Sequence, residues 1–230
     1  MSKEIPMQII AHIYNDFTSK FGIPRQSGIV DSLTSVIILE PEFRNSEVYR
    51  GLEGYSHAWL IWQFSQIENK TWSPTVRPPK LGGNTRVGVF ASRSPFRPNN
   101  IGLSSVRIKK VDLHTDQGPL LYVTGADLMD GTPLFDIKPY LPYTDAHPDA
   151  SGGYAVLPDS IGLKVSFPKE LLTKIPEESR NGLLELLKQD PRPGYQRDPE
   201  RIYGLSFSSF EIRFVVKGDS LTVVEVKGVS

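Results

Sequence analysis

The stretch from Arg77 to Ser104 reads R-P-P-K-L-G-G-N-T-R-V-G-V-F-A-S-R-S-P-F-R-P-N-N-I-G-L-S. It contains four glycines, four prolines, five Lys or Arg residues and no acidic residue. Glycine lets a backbone approach a ligand closely and proline fixes φ, so such a loop can be both tight and rigid. Only the run Val87 to Ala91 predicts a strand. A long, stiffened loop indicates a preformed cationic binding surface, and an Arg/Pro-rich connector between strands is the alternative.

The charge of the chain is uneven, although its formal net charge is zero. Residues 70 to 110 hold nine Lys or Arg and no Asp or Glu, whereas residues 127 to 149 hold five Asp and one Lys. A neutral protein with one basic face can still bind a polyanion. The interleaved Trp72, Phe90 and Phe96 could stack unpaired bases. For Phe90, inside the predicted strand, we expect a core position instead.

Several classes of protein are excluded or disfavoured by what the sequence lacks. It has no cysteine, which excludes disulfides, zinc–thiolate sites, iron–sulfur clusters and a thiol nucleophile. It has neither a G-x-G-x-x-G fingerprint nor a P-loop, so we expect no Rossmann-type cofactor domain. The four histidines lack metal-ligand spacing, so we expect no metal. No apolar run suits a signal peptide or a membrane span, so we expect a soluble, cytoplasmic protein with no membrane contact.

Apolar and β-branched runs predict most of the first part of the chain as strands. These runs cover residues 7–14, 34–39, 56–64, 103–111 and 119–126. A short helical stretch is predicted from Pro41 to Gly54, and an Asp-Gly turn at Asp130. The strands predict an antiparallel, meandering sheet or barrel over residues 1–160.

The remaining residues, 161–230, predict a smaller α+β domain. Residues 163–167 predict a strand, and leucines at helical spacing between residues 169 and 189 predict two helices separated at Pro176. Residues 202–216 and 221–227 predict two strands joined as a hairpin. The fold class is therefore mainly β, with an N-terminal antiparallel barrel that is not a Rossmann domain.

Five phrases of the sequence together resemble the TsaA-like, or TrmO, family of tRNA methyltransferases. They are F-G-I-P-R-Q (21–26), V-R-P-P-K-L-G-G-N (76–84), V-G-V-F-A-S-R-S-P-F-R-P-N-N-I-G-L-S (87–104), D-G-T-P-L-F-D-I-K-P-Y (130–140) and D-P-R-P-G-Y (190–195). The resemblance implies an S-adenosylmethionine-binding barrel in residues 1–160, a tRNA-contacting domain in residues 161–230, and a homodimer. It also implies N6-methylation of threonylcarbamoyladenosine beside the anticodon of threonine tRNA.

The resemblance also implies site residues, carried over phrase by phrase. Cofactor contacts are expected from Pro24, Arg25, Gln26, Ser65, Gln66, Arg93, Leu103, Asp130, Gly131, Thr132 and Pro133. Contacts with the anticodon loop are expected from Arg77, Lys80, Arg86, Arg97, Arg192 and Tyr195. Asp130 is the first candidate to face the sulfonium. Asp136 is the candidate base, Tyr140 an orienting group, and Lys138 a contact for a phosphate or the threonyl carboxylate.

This chain departs from the family pattern in two places. Ser65-Gln66 stands where many relatives have histidine or asparagine, and Asn100 replaces the second proline of R-P-N-P-I-G. Two other functions remain open from the residues alone. One is a non-catalytic RNA-binding module that uses the same basic face, and the other is a hydrolase that acts through a loop serine such as Ser92, Ser94 or Ser104.

Overall fold

The computed structural model describes residues 4–67, 72–155, 162–192 and 198–229. Six strands of its first part form a closed barrel in the order β1-β2-β7-β6-β3-β8, with every neighbouring pair antiparallel. They are β1 (Ala11–Tyr14), β2 (Thr34–Leu39), β3 (His57–Gln63), β6 (Ile101–Asp112), β7 (Leu120–Thr124) and β8 (Thr132–Pro139). The predicted barrel is confirmed, but its strand order is not a simple meander.

The period-2 alternation of the strands explains why the barrel closes around a core. In β3, Ala58, Leu60 and Trp62 point inward and are buried, while the residues between them face outward. The register pairs Ala58 with Val106 of β6, and both side chains belong to the barrel core. The predicted helical stretch after β2 consists of three 3₁₀ turns, Pro41–Phe43, Ser46–Tyr49 and Leu52–Gly54.

The central loop contains less strand than predicted. Only β5 (Val87–Gly88) pairs, with β4 (Thr75–Val76), and Val89–Ala91 form a 3₁₀ turn. The expectation that Phe90 is a core residue is wrong, because its side chain is 76% exposed. Phe90 lies in the 3₁₀ turn and not in a ladder, so no sheet face buries it, and the Arg97 guanidinium donates to the Val89 and Ser92 carbonyl oxygens of the turned backbone.

The last part of the chain forms a four-stranded sheet packed on helices. The sheet order is β10-β11-β12-β9, with β9 parallel to β12, and a short helix α1 (Pro142–Asp145) precedes this part. The elements are β9 (Lys164–Ser166), α2 (Lys169–Leu172), α3 (Glu177–Lys188), β10 (Tyr203–Phe207), β11 (Phe210–Lys217) and β12 (Ser220–Gly228). The break at Pro176 and the β11–β12 hairpin are as predicted. The single strand predicted over residues 202–216 is wrong, because Ser208 adopts a φ of 50° and turns the chain between β10 and β11.

Two apolar cores hold the molecule together. One fills the barrel, and the other lies between the C-terminal sheet and α3. The second core also buries Phe17, Val30 and Leu33, which belong to the connection between β1 and β2. The predicted boundary at residues 160/161 falls outside the described residues and stays a prediction.

Candidate functional site

A half-open cavity of about 570 Å³ lies where the end of β3 and the start of β6 meet three loops. The β1–β2 connection, the loop after β5 and the segment after β7 supply the other walls. Of the residues predicted for the cofactor, the cavity brings together Pro24, Arg25, Gln26, Ser65, Gln66, Arg93, Leu103 and Thr132. These residues are far apart in the sequence, so their convergence follows from the barrel closure.

Three of the predicted cofactor residues do not line this cavity: Asp130, Gly131 and Pro133. The Asp130 carboxylate accepts a hydrogen bond from the backbone N–H of Asn15 at 2.8 Å, and the Asp130 N–H donates to the Phe17 carbonyl. Gly131 donates from its N–H to the carbonyl of Ile13. The Asp-Gly turn therefore fastens β8 to the exit of β1, which is a structural role.

The carboxylate that does line the cavity is Asp127, which the sequence analysis did not select. Ser104 Oγ donates to Asp127 Oδ1 at 2.5 Å and accepts a hydrogen bond from Trp62 Nε1 at 3.0 Å. Burial raises the pKa of the Asp127 carboxyl above its ordinary value, and the hydrogen bond from Ser104 offsets part of that rise. The feature of the sequence that could have indicated Asp127 is its place directly after the buried strand β7 and the residues Gly125-Ala126 that follow it.

Among the described residues, Asp127 is the one carboxylate in the cavity lining, and four cations line the cavity with it. Lys20, Arg25, Arg93 and Arg97 line the cavity with Asp127, and the Arg93 guanidinium donates to the side-chain oxygen of Gln26. Lys20 Nζ donates to the Gln66 carbonyl at 3.1 Å. The cavity therefore presents a cationic rim suited to carboxylate or phosphate groups.

Arg97 stabilises the loop that carries Arg93. Its Nη1 donates to the carbonyls of Val89, Ser92 and Ser94, at 3.4, 2.7 and 3.4 Å, and its guanidinium lies over the Phe90 ring. These hydrogen bonds favour loop organisation over the phosphate contact predicted for Arg97. The departure at Asn100 is accommodated in the same loop, because Asn100 Nδ2 donates to the Pro95 carbonyl at 2.6 Å.

The three predicted catalytic residues lie on the outer face of the barrel, beside the cavity. Asp136 pairs in register with Ile61 of β3, and Ile61 pairs with Leu103 of β6, a residue on the cavity rim. Lys138 Nζ binds Asp136 Oδ2 at 2.8 Å. The Tyr140 ring lies 5.5 Å from the ring of Trp59, which also lines the cavity. Directly paired side chains point to the same face of a sheet. Leu103 of β6, Ile61 of β3 and Asp136 of β8 therefore lie side by side on the outer face of the barrel.

The residues predicted to contact RNA have different environments. Arg77 and Arg86 are exposed on the central loop, and Arg86 Nη1 donates to Thr75 Oγ1. Arg192, in contrast, forms an ion pair with Asp190, and its side chain is only 11% exposed. The Lys80 side chain and all of Tyr195 lie outside what the structure describes.

Neither loop serine that lines or supports the cavity has a histidine partner among the described contacts. Ser92 Oγ donates to the Val89 carbonyl, and Ser104 Oγ donates to Asp127.

In the described ranges, no group of three or more His, Asp or Glu residues is arranged to hold a metal ion. The helices described there are all too short or too polar to cross a membrane.

Comparison with known proteins gives matches along almost the whole chain. The tRNA-methyltransferase O N-terminal domain family matches residues 12–146, and the TrmO C-terminal domain family matches residues 161–229. The tRNA (adenine(37)-N6)-methyltransferase of Escherichia coli K12 is 42% identical over 215 residues, which are 90% of this chain and 91% of that protein. The protein of the same name from Eikenella corrodens is 43% identical over 178 residues, 76% of this chain and 99% of that one.

Solved structures agree with the sequence comparison. A crystal structure of TrmO superposes with a TM-score of 0.80 at 33% identity and covers 98% of this chain and 100% of that one. TrmO from Pseudomonas aeruginosa superposes with a TM-score of 0.78 at 31% identity, covering 99% of each chain. Because both domain families match and relatives are similar over nearly their full length, the chain belongs to the tRNA-methyltransferase O family.

Proposed function

We propose that this protein transfers a methyl group from S-adenosylmethionine to N6 of adenosine 37 in tRNA. The observation that carries the proposal is the cavity, which collects eight of the eleven residues predicted for the cofactor from separate parts of the chain. Membership of the family and the names of the E. coli and Eikenella relatives support the reaction and the substrate class.

The cavity fits S-adenosylmethionine in size and in chemistry. Its volume lies in the range of about 300–1,000 Å³ that is usual for small-molecule sites. Arg25 and Arg93 suit the carboxylate of the amino acid part, and the Gln26 and Gln66 amides can pair with polar edges of the adenine. Trp62 and Met129 supply apolar wall.

The bound cofactor supplies an electrophilic methyl group on a positively charged sulfur. Catalysis by this chain is then mainly alignment of the acceptor nitrogen with that methyl group and exclusion of water. We assign the carboxylate that faces the positive charge to Asp127 rather than Asp130, because Asp127 lines the cavity and Asp130 holds Asn15. The Ser104 hydroxyl holds this carboxylate in place.

The acceptor N–H must lose a proton during the reaction, and Asp136 is the proposed base. The register places it on the outer face that bears Leu103, so a nucleotide lying across that face could reach both the cavity and Asp136. Lys138 holds the Asp136 carboxylate and can also contact an anionic group of the substrate. Tyr140, packed on Trp59, is the proposed orienting group.

The finer substrate that we propose is threonylcarbamoyladenosine in the anticodon loop of threonine tRNA. An unpaired loop base can be splayed out at modest cost, and the exposed Arg77 and Arg86 can bind the flanking phosphates. We also propose a homodimer in the cytoplasm. The dimer is what the family resemblance implies.

Calorimetric titration with S-adenosylmethionine, followed by methylation of tRNA that carries or lacks the threonylcarbamoyl group, tests this proposal. We expect cofactor binding and methyl transfer to the modified tRNA only. A protein that binds tRNA but not the cofactor would instead be a non-catalytic RNA-binding module, the second function left open by the sequence. Light scattering on the same sample measures the oligomeric state.

A further inference from the structure

The loop that brings Pro24, Arg25 and Gln26 to the cavity rests on the C-terminal unit. Phe17, Val30 and Leu33, on either side of this loop, are buried in the C-terminal core, and Ile23 packs against the same core. Outside that core, the Ser208 N–H donates to the Asp16 carbonyl at 2.8 Å. The β1–β2 connection therefore joins two strands of the barrel, but its apolar side chains pack in the C-terminal core.

Gly22 brings the loop backbone directly against the C-terminal sheet. It has a φ of 90°, and a Cβ at this position would lie 1.8 Å from Cδ1 of Leu205. Leu205 lies in β10 and is almost fully buried. Since such a distance cannot occur without movement, the backbone at Gly22 lies directly against the sheet, next to Ile23 and Pro24 of the cavity wall.

A second contact joins the loop to the residues that follow α3. Arg25 Nη2 donates to the Asp190 carbonyl at 3.2 Å. Asp190 follows the C-cap residue of α3 with a φ of 52°, the left-handed conformation in which helices commonly end, and its N–H donates to the Leu187 carbonyl at 3.3 Å. A second cavity of about 180 Å³ lies beside this contact, between residues 20–25 and the end of α3.

Arg192 binds the side chain of Asp190 and so ties this helix end to the following loop. Its Nε and Nη2 donate to the two carboxylate oxygens of Asp190 at 2.7 and 2.8 Å, a bidentate pair. The guanidinium also lies 6.0 Å from the centre of the Tyr203 ring. Burial acts to raise the pKa of Asp190, but the Arg192 hydrogen bonds hold it below its usual value, so the pair is charged at neutral pH.

We infer that Asp190 and Arg192 are positioning residues for cofactor binding, which hold Arg25 and its loop in the cavity wall from the C-terminal unit. This inference rests on the proposed function, and it assigns Arg192 a role different from the phosphate contact expected from the sequence. The chain of contacts runs from Arg192 through Asp190 to Arg25, and from the neighbouring Gln26 to Arg93. The C-terminal unit thereby sets the affinity of a cavity that lies mostly in the barrel.

The test compares Arg192→Ala, Arg192→Lys and Asp190→Asn with the wild type. Because one charge-assisted contact is lost, we expect the S-adenosylmethionine Kd of Arg192→Ala and Asp190→Asn to rise about tenfold, with kcat at saturating cofactor largely retained. Arg192→Lys should be intermediate, since an ammonium cannot form the bidentate pair. In the protein without cofactor, amide hydrogen exchange of residues 20–26 should be faster in all three variants.

Arg213→Ala is the matched control. Arg213 pairs with Glu211 and Glu225 within the C-terminal sheet, at 3.2 and 3.4 Å, and it does not touch the β1–β2 connection. This variant should keep the wild-type Kd and exchange rates. The inference is overturned if Arg192→Ala keeps both values while its tRNA binding loses salt dependence, which would mark a phosphate contact.

If Arg192→Ala does not fold, Asp190→Asn provides the test instead. Asparagine tolerates the left-handed conformation and keeps the shape of the side chain, so it removes the charge and one of the two acceptor oxygens of the bidentate pair. A folded Asp190→Asn with wild-type exchange in residues 20–26 overturns the inference. The hydrogen-exchange comparison is made without ligand, so it tests the inference independently of cofactor binding. If the wild-type protein does not bind S-adenosylmethionine, the proposed function is contradicted.

Discussion

The hydroxyl of Ser104 donates to the carboxylate of Asp127 at 2.5 Å inside the cavity, and it is itself held by the indole N–H of Trp62. A hydrogen bond to the charged form favours ionisation, so Ser104 counteracts the rise in the pKa of Asp127 that burial causes. The protonation of one carboxylate thus depends on one neighbouring hydroxyl, and this dependence can be measured through cofactor binding.

Cofactor affinity should fall as the pH is lowered through the raised pKa of Asp127, since the neutral acid no longer offsets the positive charge of the ligand. Ser104→Ala removes the hydrogen bond to the ionised form, so the pKa rises further and the loss begins at higher pH. Calorimetric Kd values measured from pH 5 to pH 8 would show the shift. Asp127→Asn should bind weakly and with little pH dependence, and an unshifted Ser104→Ala curve would contradict the assignment.

The close contact between Gly102 and Trp62 predicts a second effect on the cavity. The two residues pair in register, and a Cβ on Gly102 would lie 2.2 Å from the indole. Gly102→Ala should therefore push Trp62 away from Ser104, lower the free energy of unfolding by about 1–3 kcal/mol and weaken cofactor binding.

Gly88→Ala is the control for that substitution. Gly88 has a φ of −59° and no neighbouring atom within 4 Å of an added Cβ, so alanine should be accepted there without loss. Thermal unfolding and cofactor titration of the two variants give the comparison. Equal melting temperatures for Gly102→Ala and the wild type would show that Trp62 can move without cost.

Arg97 and Arg86 should differ in the type of defect that their removal causes. Arg97→Ala frees three carbonyls of the loop that presents Arg93, so we expect weaker cofactor binding with the salt slope of tRNA binding nearly unchanged. Arg86→Ala removes an exposed cation, so tRNA affinity should fall and the slope of log K against log salt should become shallower by about 1.

Lys217→Ala, at the end of β11 and paired with Glu200 at 2.8 Å, is the control for both arginines. It removes the same unit of charge from a different exposed surface and should change neither cofactor affinity nor the salt slope. If Arg97→Ala instead reduced the slope as much as Arg86→Ala, the phosphate contact first expected for Arg97 would be the better description.

The sequence predicted the barrel strands well because their side chains alternate with a period of two, a property of the local pattern. It made the strand at Val87–Ala91 too long: the chain turns at Val89–Ala91, where Arg97, several residues away, donates to the Val89 carbonyl. The turn at Ser208 interrupts an apolar run without any glycine or proline to mark it. Asp127 was missed for a related reason: the conspicuous D-G-T-P phrase drew the cofactor assignment to Asp130, while only the closed barrel shows which carboxylate lines the cavity.

The base assignment gives the last prediction. If Asp136 takes the proton from the acceptor N–H, Asp136→Asn should lower the single-turnover methylation rate about 100-fold, the lower range for general base catalysis, without changing the cofactor Kd. Asp219→Asn provides the comparison, because Asp219 also pairs with a lysine, Lys164, at 2.8 Å but lies in the turn between β11 and β12. An unchanged rate in Asp136→Asn would exclude it as the base.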